Sequence, residues 1–124
     1  MPVKGPPRII DSFQDALIGI ATALREEKNM RIHFALLFLL FCASFYFGLD
    51  RLEWALVLLA AGGVIGLEML NSAVERVVDL VEPRFHPLAA LAKRLAAGGV
   101  LVAAIAAVAV GSLIFWPKVW GWLR

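Results

Sequence analysis

Three apolar runs, each near the length that crosses a lipid bilayer, constrain this 124-residue chain more than any other feature. The first covers residues 30–49, about the 20 residues needed to cross a hydrocarbon core ~30 Å thick. The second starts at residue 52 and stays apolar to Leu67, then continues as a polar helical segment until Pro83 ends it. The third runs from about residue 95 to residue 116. Hydrophobic residues make up 61% of the chain, against roughly 45–50% in an ordinary soluble domain. A soluble protein this small has too much surface per unit volume to hide that material. The sequence therefore predicts an all-α membrane protein of one domain, residues 1–124, with spanning helices at 30–49, 52–82 and 87–116.

Ahead of the first run, residues 1–7 hold three prolines and a glycine and read as a flexible lead-in. Over residues 8–28 the apolar positions Ile9, Ile10, Phe13, Ala16, Leu17, Ile20 and Leu24 recur at three- and four-residue spacing, a helical stripe. Charged residues occupy the opposite face, so this segment is expected to lie along the membrane surface, apolar side down. No cleavable signal peptide is evident, which leaves the first span as its own insertion signal. The single cysteine, Cys42, sits inside an apolar run and offers neither a disulfide framework nor a cysteine metal site.

Charge sets an expected topology. Five Lys/Arg precede the first span (Lys4, Arg8, Arg25, Lys28, Arg31) and only Arg51 sits in the first loop. Four more (Arg76, Arg84, Lys93, Arg94) fall between spans two and three. The positive-inside rule puts the N-terminus and second loop in the cytoplasm. Trp54, Trp116, Trp120 and Trp122 then gather at the outer interface as an aromatic belt. Small residues stand four apart at Gly62 and Gly66 in the second span and at Gly99, Ala103, Ala107 and Gly111 along the third, a pattern that lets helix backbones approach closely. One three-span protomer has few neighbours to use them, so a homo-oligomer is expected.

The chemistry concentrates at the end of the second span. On a helical wheel of about 100° per residue, Glu68, Asn71, Ser72, Glu75 and Asp79 share a face roughly 100° wide and about 16 Å long. Glu68 lies some two turns deeper than Glu75. A carboxylate moved toward the bilayer centre costs on the order of 2.5–3.5 kcal/mol on insertion scales, and such residues mark functional sites. A second acidic pair, Glu26 and Glu27, precedes the first span at the level of Glu75. Two carboxylates meeting from different helices suit a hard cation such as Mg²⁺. His33 and His86, also at this level, read as interfacial hydrogen-bonders, since no metal-ligand spacing joins them. A P-loop, a soluble-kinase signature set, a zinc H-E-x-x-H and a G-x-S-x-G elbow are all absent. The residues alone thus leave two readings open, an enzyme acting on lipid headgroups or a small ion or proton carrier.

The run Glu68-Met-Leu-Asn-Ser-Ala-Val-Glu-Arg-Val-Val-Asp79 resembles the signature of the prokaryotic diacylglycerol kinase family, matching it at every specified position. The resemblance extends to Arg8-Ile-Ile, to Glu27-Lys-Asn-Met-Arg-Ile-His33, and to His86, Ala92-Lys93 and Ala96-Ala-Gly-Gly-Val100. The Glu27–His33 stretch is more similar to the undecaprenol kinase branch. The resemblance implies a homotrimer in the bacterial cell membrane, moving the γ-phosphate of MgATP to a lipid hydroxyl of undecaprenol or diacylglycerol. It implies Glu68 as the general base, with Ser72 beside it on the lipid side, and Glu27 and Glu75 as metal ligands. Asn71 and Lys93 would meet the phosphates, and Arg8, Asp79 and His86 would complete the nucleotide side. Phosphoryl transfer needs mainly positioning and charge neutralisation, so a site without a P-loop is physically adequate.

One position departs from the pattern. Where the family usually has Asp after Ala-Lys, this chain has Arg94, a fixed cation in place of an acceptor. Arg94 is expected to pair with a phosphate or with Asp79 and to lower the rate. A second reading, a catalytically reduced relative acting as a membrane scaffold or ion-binding protein, rests on Arg94 alone.

Overall fold

The computed structural model describes Gly5, Pro6 and residues 8–124. Most of the lead-in read over residues 1–7 lies outside the described residues. The rest is helical: α1 (Ile9–Glu26), α2 (Lys28–Phe47), α3 (Arg51–Val81) and α4 (Pro87–Leu123). The last three are long and apolar enough to cross a membrane, which makes this a multi-pass membrane protein. At ~1.5 Å per residue, α3 and α4 run about 46 and 55 Å, well past a ~30 Å hydrocarbon core.

Each junction has a local cause. Between α1 and α2 a single residue, Glu27, leaves helical geometry (φ −107°, ψ 113°). The Arg31 guanidinium donates to the carbonyls of Leu24 and Arg25 at 3.3 and 2.9 Å, satisfying acceptors that the end of α1 leaves open. The sequence places this joint at residue 29, two positions later. α2 ends at Gly48, whose φ of +67° is left-handed and costs glycine nothing. The turn to α3 is only Gly48 to Asp50, because Arg51 and Glu53 already belong to the first turn of α3. Asp50 and Glu53 cap that turn reciprocally: Glu53 N–H donates to Asp50 Oδ1 at 2.8 Å, and Asp50 N–H to Glu53 Oε1 at 3.2 Å. At the other end Pro83 halts α3, and His86 starts α4 by accepting the Leu88 N–H on Nδ1 at 3.1 Å, with Pro87 in the first turn.

α4 continues through Pro117 to Leu123, seven residues beyond the expected end at residue 116. A proline inside a helix removes one backbone hydrogen bond. Here the turn beyond it is held from the side: Trp116 stacks on Trp120 with ring centroids 6.1 Å apart, and Lys118 Nζ lies 3.1 Å from Glu53 Oε2 on α3.

The core is sparse. Among the described residues Leu49, Val57 and Ile114 form one buried cluster, with Leu40, Trp54, Val110 and Phe115 packed against it. Most other large apolar side chains, among them Phe38, Leu59, Leu101, Val102 and Ile105, are exposed on the outside of the spans. In water that arrangement would be untenable, whereas lipid is an apolar solvent for it. α1 likewise keeps Ile9, Ile10, Phe13 and Leu17 exposed, a free apolar face of the kind a surface helix turns to the membrane. The buried stripe of α3 runs Val57, Val64, Glu68, Ser72, at helical spacing. Two polar residues thus occupy its last two positions, and this stripe positions the site.

Candidate active site

Burial along the acidic row is graded, as its depth in the sequence suggests. Glu68 is 5% exposed and Ser72 3%, Asn71 is half-buried, and Glu75 and Asp79 are exposed. The α2–α3 packing that buries Glu68 also brings His33 to it, with Nε2 3.8 Å from Glu68 Oε2. Two buried atoms, Asn71 Oδ1 and Ser72 Oγ, have no hydrogen-bond partner among the described residues. Leaving such an atom unsatisfied costs about 1–3 kcal/mol. Unpaired acceptors beside a buried carboxylate are what a site keeps for a ligand.

Above this polar group, toward the middle of the spans, lies an apolar cavity of about 170 Å³ between α2, α3 and α4. Leu37, Leu40, Val64 and Ala104 line its walls, and His33 lines it too. A hydrocarbon chain entering from the bilayer would meet a carboxylate and an imidazole beside one another.

Two further clusters lie toward the water-facing end. Asp79, His86 and Lys93 line one polar pocket of about 200 Å³ between the end of α3, residues 82–86 and the start of α4. Lys93 Nζ sits 2.6 Å from Asp79 Oδ1. Across the α1–α2 joint, Arg76 Nη2 bridges Glu26 Oε2 at 2.8 Å and Glu27 Oε1 at 3.3 Å. Among the described residues no three of His, Cys, Asp and Glu form a metal cage. Magnesium does not require one, since it keeps several waters and takes one or two carboxylates plus phosphate oxygens. Glu27 is paired with the Arg76 guanidinium, a contact that a metal would have to displace or share.

The residues picked from the sequence therefore fall into three groups. Glu68, Asn71 and Ser72 follow one another along α3 where Glu68 meets His33 of the cavity wall; Asp79, His86 and Lys93 share the polar pocket; Glu27 is tied to α3 through Arg76, and among the described residues no contact joins it to Glu75. Arg8 pairs with Asp11 at 3.3 Å on exposed surface. Arg94 is exposed and, among the described residues, forms no ion pair, Asp79 being engaged by Lys93. Sequence reasoning left His33 and Arg76 out of the site. The helical wheel ranks residues only within one helix, and both act across helices, so no periodicity marks them.

A buried carboxylate beside an apolar cavity, on a bundle of helices long and apolar enough to cross a membrane, with basic and acidic groups gathered at one end, is an arrangement that suits an integral-membrane enzyme acting on lipid. Residues 14–115 match the family described as prokaryotic diacylglycerol kinase, and the chain belongs to that family of lipid kinases. It is similar to an undecaprenol kinase of Bacillus subtilis, 40% identical over 90% of both chains. A diacylglycerol kinase of Helicobacter pylori is 34% identical over 95% of this chain and 85% of its own length. A diacylglycerol kinase of Synechocystis is 40% identical over 90% of this chain and 64% of its own length.

Proposed function

We propose that the protein transfers the γ-phosphate of MgATP to the hydroxyl of a long-chain membrane lipid, with undecaprenol ahead of diacylglycerol as acceptor. The product is then undecaprenyl phosphate, or phosphatidic acid for the second lipid. The observation that carries this reading is the buried Glu68 beside an apolar cavity, with Asn71 Oδ1 and Ser72 Oγ left without partners among the described residues. A lipid hydroxyl is the one part of such an acceptor that needs a base, and its chain needs an apolar wall. The order of the two acceptors rests on the Glu27–His33 stretch and on the Bacillus subtilis relative.

In this reading the lipid hydroxyl donates to Glu68, and Ser72 holds the hydroxyl in place. Asn71 and Lys93 meet the phosphates, while Asp79, His86, Arg8 and Arg94 frame the nucleotide. Glu27 and Glu75 hold magnesium, which when bound neutralises charge on the phosphates. Depth supports a division of the reaction: the base is buried on the side proposed for lipid, while Glu75 and Asp79, on the side proposed for ATP, are exposed. The charge bias of the loops supports a cytoplasmic face for this end of the bundle in a bacterial cell membrane. A homotrimer is the proposed assembly.

Purified protein in mixed micelles with labelled ATP and each lipid in turn tests the reading. Transfer to undecaprenol at a higher kcat/KM than to diacylglycerol is expected. No transfer to either lipid would overturn it.

A further inference from the structure

We propose that His33 is a positioning residue that serves as the proton outlet of Glu68. The inference rests on the lipid-kinase reading, because it concerns the proton which that reaction releases.

A buried base has a problem that an exposed one lacks. The Glu68 side chain is 7% exposed, so a proton it accepts has little direct access to water, and a second turnover needs the carboxylate back. Among the described residues His33 is the one titratable side chain that pairs with Glu68, and at 24% exposure the imidazole is the more open of the two. His33 lies five residues, or about 7.5 Å, from the start of α2. By contrast, Glu75 lies about 10 Å further along α3.

Among the described residues no other charged group pairs with Glu68. On α2 the next one, Arg31, is turned to the carbonyls of Leu24 and Arg25. On α3, Glu75 and Asp79 lie two and three turns toward water, and Arg76 is engaged by Glu26 and Glu27. On α4, Lys93 is held by Asp79 and Arg94 is exposed. α1 approaches α3 where Gly19 faces Met69, and it carries its charges at Asp11, Asp15, Arg25 and Glu26.

The step balances as follows. The acceptor's O–H bond breaks, its proton passes to the Glu68 carboxylate, and its oxygen bonds to the γ-phosphorus. The bond from that phosphorus to the bridging oxygen breaks, and ADP leaves with the electron pair. The proton then moves from Glu68 Oε2 to His33 Nε2, and from the imidazole to water. The ring must begin each turnover neutral, with its own proton on Nδ1 and Nε2 free to accept. The 3.8 Å separation is longer than a hydrogen bond, and a small rotation of either side chain closes it to the ~2.6–3.2 Å that transfer requires.

His33→Gln keeps a polar side chain but cannot carry a proton. Its kcat is expected to fall about a hundredfold, with KM for lipid and for ATP within about twofold of the parent protein. His33→Ala with added imidazole supplies the second arm, and recovery of at least part of the lost kcat is expected. Both variants are first checked for ATP-dependent protection against thermal unfolding, so that a misfolded protein is not read as a slow one. Unchanged kcat in His33→Gln would overturn the proposal. So would a rise in lipid KM with kcat preserved, which would make His33 a wall of the cavity, or no rescue of His33→Ala by imidazole. An inactive parent protein would instead overturn the kinase reading itself.

Discussion

Lys93 Nζ lies 2.6 Å from Asp79 Oδ1, an ion pair that joins α4 to α3 across the polar pocket lined by His86. The two side chains are 38% and 63% exposed, so solvent screens the pair and its contribution to stability is small. Its consequence is positional, since it presents an ammonium at the wall of the pocket. Replacing Lys93 with Met should leave the fold intact. It should weaken ATP binding by roughly 10- to 100-fold, the worth of one charge-assisted hydrogen bond of about 1.5–3 kcal/mol. ATP titration followed by thermal protection measures this, and equal affinity in Lys93→Met would remove Lys93 from the phosphates.

Glu68→Gln preserves shape and removes the base. Turnover should drop by a factor of about 10² to 10⁴, while MgATP still raises the unfolding midpoint, because the nucleotide groups lie elsewhere. Single-turnover assays beside thermal melts separate the two effects. Appreciable transfer by this variant would take Glu68 out of the base role.

The shared face of the row from Glu68 to Asp79 was legible before the fold, because it follows from helical geometry alone, and the structure buries Glu68 and Ser72 while leaving Glu75 and Asp79 exposed. The spans were legible because helical geometry and a bilayer of fixed thickness set their length. What escaped was set by contacts between helices. Glu68 finds His33 and Arg76 finds Glu27 only when α2 and α3 pack, and no single-helix pattern encodes that. The ends of the spans also shifted. Arg31 draws the α1–α2 joint back to Glu27, and Trp116, Trp120 and Lys118 carry α4 past a proline that ordinarily reads as a stop.

Arg94 is exposed next to a lysine that already holds Asp79. An extra fixed cation at this edge lies close to where the phosphates are proposed to bind, and it offers no acceptor to the nucleotide. Arg94→Asp should therefore raise turnover several-fold or change the KM for ATP. Steady-state kinetics in micelles decides it, and identical constants in both proteins would make the position irrelevant.

At the opposite end, Asp50 accepts the Glu53 N–H, and this backbone hydrogen bond, aided by the nearby Lys118 ammonium, holds its carboxyl below the usual value of 3.8. A carboxyl depressed in the folded state contributes stability above its unfolded value and loses it as pH falls through the folded one. The unfolding midpoint should therefore decline as pH is lowered from about 4. Asp50→Ala should lower the midpoint at neutral pH and flatten that decline. Melting curves from pH 3 to pH 7 on both proteins make the comparison, and parallel curves would show that the cap contributes nothing.

The glycines of α3 and α4 separate packing within the protomer from packing between protomers. A Cβ built at Gly62, Gly66, Gly99 or Gly111 meets nothing within 4 Å, so these positions are open in a single chain. Inside the protomer, Gly62→Leu should do no harm, and it should favour the α3 helix by several tenths of a kcal/mol, as leucine is the better helix former. Between protomers the same change fills the space through which a neighbouring backbone would approach. If the small-residue face carries the proposed trimer, Gly62→Leu should yield a helical protein that runs as a smaller species on cross-linking and light scattering in detergent. A variant that stays trimeric would move the interface to another face. One that unfolds outright would show that Gly62 serves the protomer's own packing, against the open space seen around it.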